Sequence, residues 1–215
     1  AISGFVNETK QNQPDQKQLA ESKKAYQKML LTELFDFSSL IRNLNYCLKI
    51  VDEHHDNILG NLQEMLENTS GSIKAELIEV SEKFRPQLNG LLNKEIDAES
   101  NDLLQERIIK ASEYFSVKLE ADLKEILAGF SVETDNKVIR KSVSEALGRI
   151  RKEGATKLAC LNSARSGFVV SKYLDARAKS AIDISALKSH SAKSVDDTSG
   201  IIQYPALFNR IKEWR

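Results

Sequence analysis

Asp52, Glu53, His54, His55 and Asp56 gather two imidazoles and three carboxylates in one run, the residue types that ligate zinc or exchange protons. Their spacing argues against a helical metal site. Ligands sharing a helix face stand four residues apart, as in H-x-x-x-H, while adjacent positions diverge by about 100°. The run therefore reads as a solvated face, with His55 partly buried on an apolar stripe. Protonation of His55 would then loosen the packing at low pH. No Ser-His-Asp order can be assembled convincingly from the three histidines, His54, His55 and His190. No metal ligand and no catalytic residue is expected.

The other reactive types lead to the same place. Cys47 and Cys160 stand 113 positions apart, which suits reduced, buried thiols in a cytoplasmic protein better than a disulfide framework. A nucleophilic cysteine needs a nearby histidine and an electropositive pocket, and the sequence supplies neither. Gly71-Ser72-Ile73-Lys74 and Gly154-Ala155-Thr156-Lys157 lack the G-x-x-x-x-G-K-[ST] spacing that cradles phosphates. No cofactor is expected in this segment.

Charge carries more information. The chain is neutral overall, with 31 basic and 31 acidic residues. Residues 137–193 nevertheless hold 13 Lys and Arg against Glu145, Glu153, Asp175 and Asp183, a net +9 that leaves −9 for the remainder. Lys137, Arg140, Lys141, Arg149, Arg151, Lys152 and Lys157 are the candidate DNA-binding residues, able to hold phosphates without reading sequence. The competing expectation is that the basic half packs against the acidic half. Aromatic residues in this window are few, Phe168 and Tyr173, so a dedicated single-strand channel is not indicated.

These groups must be carried by helices. Leu30, Leu34, Phe37, Ile41, Leu44, Leu48, Val51, His55, Ile58, Leu62 and Met65 recur at alternating steps of four and three, a narrow stripe that has to bury itself against other helices. One helix is expected from about residue 15 to about 68, opened by Pro14-Asp15 and either continuous or broken near 52–60. Asn68-Thr69-Ser70-Gly71 reads as a turn, and Pro86 as a kink or restart in the next helix. A third helix follows Ser100-Asn101-Asp102, burying Leu104, Ile108, Ala111, Phe115, Leu119 and Ile126 and stopping at Gly129. A fourth begins at 131–135 and buries Val138, Ala146, Ile150, Leu158 and Leu161. A fifth, shorter one runs from Phe168 to about Ala181.

The expected fold is all-α: an elongated antiparallel bundle of four to five helices with coiled-coil-like packing. Its organisation is a loose leader over 1–14, the bundle over 15–181, a polar linker over 182–200, and the start of a further helical module over 201–215. Only three prolines and nine glycines fit long helices better than a turn-rich β fold. No window is apolar enough to span a membrane, and the first residues lack the charge and apolar core of a signal peptide. The absent initiator methionine and the helical pattern still running at Arg215 suggest a fragment of a longer chain.

Tyr204 to Arg215, with Leu207, Ile211, Trp214 and Arg215, resembles the opening of an HRDC domain, a helical module that accompanies many DNA helicases. A long helical segment followed by a serine-rich linker and this entry is similar to the region downstream of the motor in a group of bacterial helicases whose motors resemble the Pif1 and RecD families of superfamily 1. The resemblance implies a non-catalytic accessory region of an ATP-dependent DNA helicase, positioning DNA or the following module relative to the motor. The alternative is a structural coiled-coil scaffold that associates with itself or another protein through what remains exposed of the stripe.

Overall fold

A computed structural model describes residues 16–92, 96–128 and 132–193, and the regular elements in them are helices packed on one core. The all-α expectation holds, with no strand among the described residues. The leader, the Gly129 stop, residues 194–200 and the HRDC-like segment lie outside them.

The apolar ladder forms, but not as one rod. Helix α1 (Gln16–Leu34) gives way to α2 (Ser38–Glu53) across Phe35 and Phe37, both fully buried. A continuous helix would aim those rings about 200° apart, so the backbone breaks to bury both. Asp36, between them, accepts a hydrogen bond from the Ser38 amide at 2.9 Å. Restarting at Ser38 rotates the stripe: Leu40, Leu44, Cys47 and Val51 are buried, while Ile41 and Leu48 flank them half-buried.

The second break falls inside the 52–60 region. A short 3-10 turn (His55–Asn57) follows α2, and Gly60 takes a φ of +90° that suits glycine. Packing of His55 on the stripe is overturned. Its side chain is 64% exposed, with Nε2 3.1 Å from Asp56 and Nδ1 3.0 Å from the Asp52 carbonyl. The Leu59 amide donates to the Glu133 carbonyl at 2.8 Å, tying this loop to a distant segment.

The turn expected at 68–71 does not form. Helix α3 (Leu62–Ser72), a wide π-helical turn (Ile73–Ile78) and α4 (Glu79–Leu92) follow without interruption. Leu62, Met65, Leu66, Thr69, Ile73 and Leu77 make one buried face. Each apolar member contributes about 1.5–3 kcal/mol, more than the roughly 1 kcal/mol that Gly71 costs the helix. Nor does the helix restart at Pro86. Pro86 and Glu82, whose carbonyl loses its ladder bond, are both exposed, so the missing bond falls on the solvent side of the helix.

Helix α5 (Asp102–Ala128) is capped by Asn101, whose side chain accepts from the Leu104 amide at 3.2 Å. It buries Leu104, Ile108, Phe115, Leu119, Leu123 and Ile126. Helix α6 (Lys137–Ala164) begins later than expected because Asn136 is its cap, accepting from the Val138 and Ile139 amides. That register turns Val138 out to solvent, 74% exposed, and buries Ile139 in its place. A turn through Gly167, at φ +108°, leads to α7 (Val170–Lys193), which runs past the expected end near 181. Gln105 clamps this turn from α5, bonding both the amide and the carbonyl of Phe168.

Helix α6 is the central member. It lies antiparallel to α2 through Ser39–Glu153 and Tyr46–Arg149, and to α7 through Ser180–Thr156. It packs tightly on α5 at Gly154, where a Cβ would collide with Leu123 Cδ1.

Candidate nucleic-acid interface

All seven candidate cations lie on α6, yet the helix does not present them to one surface. Three of them reach backbone carbonyls. The Arg151 Nε donates to Ile126 O at 2.7 Å, in the last turn of α5, and the Lys157 Nζ donates to Glu33 O at 2.7 Å, in the last turn of α1. Helix C-termini present unsatisfied carbonyls and a partial negative charge, so both cations act as caps supplied by a neighbouring helix. Arg140 donates in the same way to Thr134 O, ahead of α6 itself.

Lys157 is the furthest from the surface. It is buried, and its ammonium stands 5.7 Å from the centre of the Phe37 ring. Burial pulls its pKa below the usual lysine value, against the nearby Glu153, Asp36 and Glu33 that favour the charge. It holds α1 against α6 and belongs to the core.

Lys137, Lys141, Arg149 and Lys152 are exposed. From 137 to 152 the helix rises about 22 Å. Among the described residues, Lys137, Lys141 and Lys152 pair with no carboxylate. Packing of basic residues on acidic ones is realised elsewhere, at Arg177–Glu33 (2.9 Å) and Arg165–Glu113 (3.6 Å).

The structure adds residues that sequence reasoning missed. The Arg149 guanidinium lies 5.4 Å from the ring centre of Tyr46, which is 48% exposed. Tyr46 stands on the outer side of α2 between Arg42 and Lys49, both exposed. Their i, i+4, i+7 spacing, opposite Leu40, Leu44, Cys47 and Val51, was a readable signal on a helical wheel. The neighbour from residue 149 was not. Phe168 and Tyr173, the aromatics within the basic window, are buried with ring centres 6.1 Å apart.

Other candidates are chemically quiet. Both cysteines are buried, and burial pushes the Cys47 thiol up to about 12, far from a reactive thiolate. Among the described residues no group of three or more His, Cys, Asp or Glu side chains is placed to hold a metal ion. No described helix is long and apolar enough to cross a membrane. A polar cleft of about 390 Å³ between α3 and α5 is lined by Asn61, Glu64, Asn68, Thr69, Ser72 and Asp122. Burial raises the Asp122 carboxyl, and its Oδ1 accepts from the Ser72 hydroxyl at 2.7 Å.

A family model described as the DNA helicase middle domain matches residues 18–188, most of this helical assembly. The chain belongs to that family. No curated protein and no solved structure matches it. In this helicase middle domain Lys137, Lys141, Arg149 and Lys152 of α6 and Arg42 and Lys49 of α2 are exposed, with Tyr46 between the last two and against Arg149.

Proposed function

We propose that this middle domain is a non-catalytic helical region of an ATP-dependent DNA helicase that holds DNA on the outer face of α6. In that position it would set the strand, and an HRDC-like module after it, relative to the motor. The observation that carries the reading is the row of Lys137, Lys141, Arg149 and Lys152, exposed along one helix of a DNA helicase middle domain. Contacts to phosphates from such a row fix position without reading bases, as a translocating enzyme requires. The proposed setting is cytoplasmic, where both cysteines stay reduced.

Fluorescence anisotropy with labelled duplex and single-stranded oligonucleotides tests this directly. Binding at low salt is expected to weaken steeply as salt rises. Replacing Lys137, Lys141 and Lys152 together by glutamate should lower affinity at least tenfold and flatten the log–log salt slope by about three, roughly one per lost contact. These three residues are exposed, so circular dichroism should be unchanged. A flat wild-type titration with both DNAs would rule the reading out.

A further inference from the structure

We propose that Tyr46 makes the α2–α6 face a site for single-stranded DNA, stacking one unpaired base on its exposed ring while the surrounding cations hold the flanking phosphates. This rests on the DNA-binding reading above and narrows its partner from any phosphate backbone to an unpaired strand.

A tyrosine nearly half exposed in mid-helix contributes little to the core, and its ring already lies against the Arg149 guanidinium. Guanidinium and phenol planes are the two surfaces on which proteins stack unpaired bases, and they serve any base because every base has a π-face. Duplex DNA offers no such face, since its bases are stacked on one another. Arg42 lies about one helical turn before Tyr46 and Lys49 nearly one turn after, which places a cation on each side of a stacked base. The neighbouring α6 adds Arg149 and Lys152.

The carboxylates nearby are Glu53, 3.8 Å from Lys49, together with Glu145, and Glu153, which accepts a hydrogen bond from Ser39. Around Tyr46 itself four cations, Arg42, Lys49, Arg149 and Lys152, face these three, of which Glu53 and Glu153 already have partners. Cations therefore flank an exposed aromatic, the combination that non-specific single-strand sites use. Neither half of the chain holds it alone.

The test compares an oligo-dT with a duplex of equal length, using the full chain and the variants Tyr46→Ala and Tyr46→Phe. Tyr46→Ala is expected to weaken oligo-dT binding about tenfold and leave duplex binding unchanged, while Tyr46→Phe keeps wild-type affinity. Photo-crosslinking to 5-bromodeoxyuridine-substituted strands should place the adduct on Tyr46. Unchanged oligo-dT affinity in Tyr46→Ala, or equal weakening of both DNAs, overturns the stacking site and leaves the electrostatic reading standing. Wild-type binding to neither DNA overturns both. If Tyr46→Ala lowers the melting temperature, the Tyr46→Phe titration and the crosslink decide: a weakened phenylalanine variant together with adducts elsewhere rejects the site.

Discussion

Lys152 and Lys157 are five residues apart on one helix, and their surroundings give them opposite roles. The first ends in water, while the second gives up its hydration to bond the Glu33 carbonyl at the end of α1. Asp122 poses the same question for an acid. Burial is the largest influence on its carboxyl and raises it, with Glu76 adding to the rise while Ser72 and Lys118 oppose it. The folded state thus keeps this proton to a higher pH than the unfolded chain does. That preference favours folding below the ordinary value of 3.8 and is lost as pH climbs through the raised one. At pH 7 the buried charge is a cost. Asp122→Asn is accordingly expected to raise the melting temperature at pH 7, with the gap to wild type narrowing as pH approaches 4. Thermal melts followed by circular dichroism at both pH values measure it, and a gap independent of pH would contradict the burial argument.

At the scale of elements, the two glycines of α6 separate propensity from packing. By propensity alone both weaken the helix alike, and only their neighbours distinguish them. Nothing stands near a Cβ built on Gly148, so Gly148→Ala should stabilise by about 0.5–1 kcal/mol through propensity alone. At Gly154 an added methyl meets the fully buried Leu123, and overpacking of this kind costs about 1–3 kcal/mol, which outweighs the same propensity gain. Urea denaturation of the two variants should give shifts of opposite sign. The same competition explains the helix that runs through Gly71 and Pro86. Local turn signals were present at both, but the buried face from Leu62 to Leu77 and the exposed position of the proline decided the outcome.

For the whole molecule, Phe115 is where distant segments meet. Its ring centre lies 5.7 Å from that of Phe35, 5.1 Å from Phe37 and 6.4 Å from Phe84, so the α1–α2 break, α4 and α5 converge on one side chain. Phe115→Ala is expected to cost about 3–5 kcal/mol, a large share of the stability of a domain this size. A loss under about 1 kcal/mol by urea denaturation would show that the four rings are not the shared centre of the core.

Much of this was readable from residue order. The all-α class, the burial of Leu104, Ile108, Phe115, Leu119 and Ile126, and the concentration of cations after residue 137 follow from periodicity and charge, which are properties of neighbours along the chain. The break at Phe35–Phe37, the outward register of Val138 and the exposure of His55 were not readable. Each depends on which face another helix covers, and a helical pattern says only that a face must be covered, not by what. The basic surface shows the division most plainly. Composition placed the positive charge in one half of the chain, but packing of α2 beside α6 sent Lys157 inward, bound Arg151 to a helix end, and set Tyr46 beside Arg149. A contact between residues a hundred positions apart has no local signature, because only the burial of the whole core selects it.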